Sequence, residues 1–388
     1  MKSTVSFLFT LLLFVALDVS KSSAQDWTKT SAPPYRWFSV ASSADGNKLA
    51  AVRGYTNVYT STDAGKTWVN HTVATVWCQA VAMSADGNTL VVVSWKGGPI
   101  FISSDFGESW KQTSAPGKYW SSVTCSADGS KMLAAASDSD DQYLYISIDS
   151  GSTWNKTGPP GHWNDVAASA NGERLFATSR SGLYRSVDFG ATWEKVSDFS
   201  QFWGAISSSA DGSKLAAIGG INVFTSNDSG ATWVPSLTEN SDWTAISSSA
   251  DGTKLLAVSG HGLLYTSMDS GLSWQPNAVP GGEAEQWRAV ASSADGGKLI
   301  AASARNSDGA LWTMERGIAP ILGITSLTGK PELSWTVSSA DFLLEVKSEL
   351  DADWVEITPN LTTNIGNLKY EVRLPSSDRN MFFRLRKR

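Results

Sequence analysis

A tryptophan, a short apolar alternation, Ser-Ala-Asp-Gly or Ser-Ala-Asn-Gly, and then a Leu/Ala/Val-rich run recur seven times. The copies begin at Trp37, Trp77, Trp120, Trp163, Trp203, Trp243 and Trp287, spaced 40, 43, 43, 40, 40 and 44 residues apart. A period of that length specifies a solenoid or a β-propeller, and local propensity chooses between them. In the first copy WFSVASS alternates with period two, SADG is a turn, KLAAV and NVYTST are β-rich, and DAGKT turns the chain into WVNHT. Four short strands fill the period and leave no room for a helix, which is the unit of a propeller blade. Seven periods predict an all-β chain with a seven-bladed propeller.

A second motif, S-x-D-x-G-x-T/S-W, lies between the copies of the first. It reads STDAGKTW at 61–68, SSDFGESW at 103–110, SIDSGSTW at 147–154, SVDFGATW at 186–193, SNDSGATW at 226–233 and SMDSGLSW at 267–274. Its aspartates, Asp63, Asp105, Asp149, Asp188, Asp228 and Asp269, can accept hydrogen bonds from backbone N–H groups of their own turn, while glycine supplies the positive φ of the reversal. The motif is expected to fasten the third strand of each blade to the fourth. No seventh copy follows ALWTM at 310–314, but DWTKTSAPPYRW at 26–37 matches SWKQTSAPGKYW at 109–120. Residues 26–31 are therefore expected to supply the outer strand of the last blade and close the ring.

The first residues carry Lys2, an apolar run from Phe7 to Leu17, and Ser22-Ser23-Ala24 before Gln25. This pattern predicts a secretory signal peptide over 1–24, cleaved after Ala24, and a secreted or extracytoplasmic protein. No later stretch reaches the ~20 apolar residues of a membrane span. With Cys78 and Cys125 as the only cysteines, no disulfide framework is expected. The net charge of −6 comes without a basic stripe, which makes nucleic acid a poor partner. The propeller is expected over 25–317. Over 318–388 the runs ILGITSL, ELSWTV, DFLLEVKS, WVEIT, YEVRL and FFRLR predict a small β-sandwich resembling immunoglobulin or fibronectin-like modules.

The six S-x-D-x-G-x-T/S-W copies resemble the Asp-box, or BNR repeat, of sialidases, sortilin-type receptors, xyloglucan-degrading propellers and the photosystem II assembly factor propeller. The resemblance implies a propeller in which the box is structural and lies away from the functional face. It does not imply an enzyme. A sialidase would need three converging arginines, and the family's Arg-Ile-Pro opening is absent. Arg53, Arg180 and Arg305 fall on equivalent loops of blades one, four and seven, which puts one of them across the ring from the other two. A xyloglucan-degrading enzyme would need paired propellers, and one is present.

In a propeller the start of strand one, the loops between strands two and three, and the connections between blades share a face, opposite the SADG turns and Asp-boxes. The seven repeat tryptophans therefore serve either as inter-blade packing or as an aromatic ring around a ligand mouth. Residues that differ between blades are further candidates on that face: Tyr35, Arg53, Tyr55, Trp95, Lys96, Tyr119, Asp165, Arg180, His261 and Arg305. Asp138, Asp140 and Asp141 form an acidic loop without EF-hand spacing, and His71, His162 and His261 give no zinc spacing. No catalytic, metal or cofactor constellation emerges. The leading expectation is a monomeric, non-enzymatic propeller that binds a glycan or an extracellular protein. Alternatives are a glycoside hydrolase using loop carboxylates such as Asp138, Asp140 or Asp165, and a scaffold for an exported complex.

Overall fold

The computed structural model describes residues 27–316, apart from 75, 138–141, 197–201, 240, 280–284 and 306–307, together with seven strands between 323 and 387. The leader and the Asp138–Asp141 loop lie outside the described residues. Each repeat forms a four-stranded antiparallel sheet. In the first, Ser39–Ser42, Leu49–Val52, Asn57–Ser61 and Val69–Thr72 pair in chain order. Five further sheets repeat that order. The seventh contains Trp287–Ser292, Lys298–Ser303 and Leu311–Glu315, and its outer place is taken by Thr28–Lys29, with Thr28 opposite Thr313 and Lys29 opposite Trp312. The chain is a seven-bladed propeller.

The second strands of the first six blades, such as LAAV, LVVVS and MLAAA, are buried at every position. Each blade is covered on both faces by its neighbours, so these strands read as continuous apolar runs rather than alternations. Each hydrophobic cluster joins two consecutive blades. Trp203, Ile206, Leu215, Ala217 and Phe224 of blade five pack on Ala167, Phe176 and Leu183 of blade four, and Trp37, Leu49 and Tyr59 of blade one pack on Ile300, Ala302 and Leu311 of blade seven.

Around the axis, the alanines of the SADG and SANG turns form a closed circuit of backbone hydrogen bonds. Ala44 N–H donates to the Ala85 carbonyl at 2.8 Å, Ala85 to Ala127, Ala127 to Ala170, Ala170 to Ala210, Ala210 to Ala250, Ala250 to Ala294, and Ala294 back to Ala44 at 2.8 Å. The glycines of these turns are wedged between blades. Gly212 has φ +71°, and a Cβ there would stand 2.9 Å from Cδ of Arg174, whose Nη1 donates to the Asp211 carbonyl at 3.0 Å.

The Asp-boxes show why their residue types are spaced as they are. Asp188 Oδ1 accepts from Ser186 Oγ at 2.7 Å and Thr192 N at 2.9 Å, and Oδ2 accepts from Thr192 Oγ1 at 2.6 Å. Ser186 Oγ in turn accepts from Gly190 N at 2.8 Å. The reversal uses two left-handed residues, Phe189 at φ +56° and Gly190 at φ +80°, where glycine alone was expected. Phe189 N then donates to the Glu173 carbonyl at 3.0 Å, tying the box to the first turn of its own blade. Blade seven has no box, and Arg316 N donates to the Gly297 carbonyl in its place.

These bonds lower the carboxylate pKa values. The hydroxyl and backbone donors hold Asp105, Asp149 and Asp188 at about 2, and Asp63, Asp228 and Asp269 are lowered as well. A folded-state pKa below the unfolded value contributes stability that is present above the unfolded pKa of about 4 and is lost as pH falls through the folded pKa. The urea midpoint is therefore expected to fall steeply between about pH 4 and pH 2. A midpoint that stays flat across that window would show that the boxes do not hold the blades through their ionised form.

Beyond the propeller, Gly323–Leu327, Lys330–Thr336, Lys369–Arg373 and Thr362–Asn364 form one antiparallel sheet, and Val355–Ile357, Phe342–Lys347 and Phe382–Lys387 form another. Among the described residues no helix is long and apolar enough to cross a membrane.

Candidate functional site

Six of the seven repeat tryptophans, Trp37, Trp120, Trp163, Trp203, Trp243 and Trp287, are at most 5 % exposed. Their faces meet neighbouring residues instead of solvent. Trp37 stands edge-on to Tyr59 at 5.2 Å, Trp163 to Tyr184 at 5.1 Å and Trp120 to Tyr145 at 5.3 Å. A sugar ring cannot reach them, so the packing alternative describes these six positions. Trp77 differs. The stretch from Trp77 to Ser84 is one residue longer than its equivalents, and Cys78 takes the buried place, pairing with Ser94 where Trp163 pairs with Ser179. The extra residue pushes Trp77 onto the loop-rich face, half-buried. Burial also drives the Cys78 thiol up to about 12, and both cysteines are free.

Around Trp77 the face carries linked rings and cations. Tyr55, 58 % exposed, lies 5.1 Å from Trp77 with planes tilted 37°. Phe38 meets Trp77 edge-on at 6.1 Å, and Lys96 Nζ stands 5.8 Å from its ring. Arg53 lies 3.9 Å over Tyr35 and 5.5 Å from Tyr55, and its Nη2 donates to Asn57 Oδ1 at 3.1 Å. Trp95 packs edge-on to Tyr119 at 5.4 Å in the next loop. Lys96, at φ +60°, is the only non-glycine residue outside the boxes with positive φ among the described residues. Such conformations cluster at functional loops. The other expected candidates stand apart: Arg180, His261 and Arg305 are exposed on blades four, six and seven, and no contact joins any two of Arg53, Arg180 and Arg305.

Asp165 sits on the inner strand of blade four, half-buried. Its Oδ1 accepts from Ser122 Oγ of blade three at 2.5 Å, and its Oδ2 accepts from Ile206 N of blade five at 2.9 Å. Desolvation pushes its pKa up despite these donors. Both oxygens are committed to holding three blades together, which is a structural task. The described residues bring no three His, Cys, Asp or Glu side chains together for a metal ion. At the turn end the channel holds a cavity of ≈ 170 Å³ lined by Ser42, Met83, Cys125, Ser208, Ser248 and Ser292 among others. That is room for a few waters at about 30 Å³ each, well short of a ligand pocket of about 300 Å³ or more.

With the ring of seven blades and six boxes in place, a family model, Sortilin-Vps10 (sortilin, neurotensin receptor 3), matches residues 56–169, from the first blade to the fourth. The chain is a β-propeller that resembles the Asp-box propellers over this stretch. This propeller superimposes on YCF48 from Cyanidioschyzon merolae with a TM-score of 0.59 at 16 % identity, over 75 % of this chain and 98 % of that one. A second structure, YCF48 bound to D1 peptide, gives a TM-score of 0.57 at 16 % identity, over 77 % and 98 %. At that identity the likeness of the propeller is one of fold. The comparison with curated proteins gives no match.

Proposed function

We propose that this propeller is a non-catalytic binding protein whose loop-rich face, in the sector of Tyr35, Arg53, Tyr55, Trp77, Trp95, Lys96 and Tyr119, engages a segment of a protein partner. The observation that carries the reading is the displacement of Trp77 from the packing position its six counterparts occupy, into a cluster of rings and cations at the surface. Aromatic residues and arginine dominate the energetics of protein interfaces. The solved YCF48 propeller with D1 peptide is a precedent for this fold holding a peptide. In this reading residues 1–24 export the chain, the leading strand closes the ring, and 318–388 form an immunoglobulin or fibronectin-like spacer.

Selection of a random peptide library on the purified protein tests it. Enriched peptides are expected to bind about tenfold or more weakly to Tyr55→Ala and Trp95→Ala variants, and equally well to Phe189→Ala on the Asp-box face. Loss with Phe189→Ala alone would place the partner on the wrong face. Capture of neutral oligosaccharides on a glycan array, lost in Tyr55→Ala, with no enriched peptide would replace the protein partner by a sugar. Release of reducing sugar from polysaccharide would overturn the non-catalytic assignment.

A further inference from the structure

The residue that follows the repeat tryptophan has a recurrent task. In blade three Ser121 Oγ donates to the Trp163 carbonyl at 3.0 Å, in blade four Asn164 Nδ2 donates to the Trp203 carbonyl at 2.7 Å, and in blade six Thr244 Oγ1 donates to the Trp287 carbonyl at 2.8 Å. Each ties its blade to the next at the loop-rich end of the channel. Among the described residues the other four blades lack this bond, and blades two and five carry the uncharged Cys78 and Gly204 at the position. Blade seven places Arg288 there and blade one places Phe38, preceded in sequence by Arg36. Neither arginine makes a seam bond. Instead the Arg36 guanidinium stands 5.6 Å and that of Arg288 5.2 Å from the same Phe38 ring.

Two guanidinium groups sharing one ring repel each other, and among the described residues no carboxylate pairs with either. Loss of solvent and then the Arg36 charge lower the pKa of Arg288. A phenyl ring offsets part of this repulsion through its negative face, yet it offers no hydrogen-bond acceptor to the donors of either fork. Two cations that share one ring on this face and pair with no carboxylate of the described residues have donors to offer an anionic group outside the chain. We propose that Arg36 and Arg288 form a carboxylate-binding pair at the seam of blades seven and one, and that they read an acidic side chain of a peptide lying across the loop-rich face.

This inference rests on the binding role proposed above and names its chemistry. A guanidinium fork matches a carboxylate in shape and charge. A neutral sugar would need a bare ring face, whereas Phe38 already faces two cations and the edge of Trp77. A nucleic acid is disfavoured by the net charge of −6 on the whole chain. From Phe38 the rings continue to Trp77 at 6.1 Å and on to Tyr55 at 5.1 Å. Three or four residues of extended chain, at about 3.3 Å each, cover that path and can set a carboxylate at one end and an apolar side chain at the other.

Three probes test the pair: an end-blocked peptide of leucine and glutamate, the same peptide with every glutamate replaced by glutamine, and oligogalacturonate. The protein is expected to hold the glutamate peptide about ten- to a hundredfold more tightly than the glutamine peptide, the range for charge-assisted hydrogen bonds, and to lose the preference as salt rises. The double variant Arg36→Gln/Arg288→Gln should abolish the preference, and Arg36→Lys/Arg288→Lys should keep part of it. An unchanged melting temperature shows that each variant is folded. If the glutamine variant keeps the full preference, the pair is wrong, and the face remains the site provided Tyr55→Ala weakens both peptides alike. If Tyr55→Ala changes neither peptide while the arginine variant removes the preference, the pair stands and the wider sector does not. Tighter binding of oligogalacturonate than of the glutamate peptide overturns the peptide as occupant.

Discussion

Trp27→Ala is expected to destabilise the propeller by about 3–5 kcal/mol, the usual cost of removing a buried large aromatic side chain. For a domain of this size that is a fall in melting temperature on the order of 10 °C. Trp27 is 2 % exposed and packs into the cluster that joins blades six and seven, among Leu256, Val258, Leu264, Trp287 and Met314. The two-residue strand after it contributes little by itself. Its pairing with Trp312 and Thr313, the bond from Thr30 N to the Leu311 carbonyl at 2.9 Å, and that from Ser31 Oγ to the Lys66 carbonyl at 2.7 Å tie blade seven to the Asp-box turn of blade one. Deleting residues 26–32 should do more than the single substitution, because it also leaves Leu311–Glu315 as an unpaired edge open to aggregation. If the truncated protein melts where the full one does, the leading segment does not close the ring.

The second large effect separates two tryptophans that look alike in sequence. Trp120→Ala should cost about 3–5 kcal/mol, since Trp120 is fully buried and its Nε1 donates to the Gly98 carbonyl at 3.0 Å. Trp77→Ala should cost about 2 kcal/mol or less, because the partly exposed ring gives up less apolar area than a fully buried one and leaves a gap that water can enter. The binding consequences should run the other way, with peptide affinity reduced by Trp77→Ala. Thermal melts and titrations of the two variants side by side measure both. Equal destabilisation would mean that Trp77 is a packing residue after all.

The ring was legible because its signals are local. Period, strand propensity and turn chemistry can each be read within one copy, and they agree on four strands and seven blades. The Asp-box hydrogen bonds follow from residue types alone, although the left-handed conformation of Phe189 and its counterparts does not, since the box accepts alanine, serine or phenylalanine there. In the C-terminal stretch the six apolar runs all contain strands, whereas Thr362–Asn364, with no apolar residue, gave no signal. The repeat tryptophans could not be assigned from sequence because packing and ligand contact demand the same residue at the same period. What distinguishes Trp77 is the single additional residue before Ser84, which shifts it by one place against a strand whose faces alternate. The arginine pair was missed for a related reason. Arg36 and Arg288 lie at opposite ends of the propeller sequence, and only closure of the circle brings them over one ring.

The alanine circuit has an electrostatic corollary. Its seven N–H···O=C bonds run tangentially in one rotational sense, and vectors arranged head to tail around a closed loop cancel, so the circuit projects no field along the axis. A helix terminus in that position would have presented a fixed partial charge to the bore. Here the polarity of the bore at the turn end is left to its side chains, neutral hydroxyls and methyls such as those of Ser42, Ala44, Ser208 and Ala210.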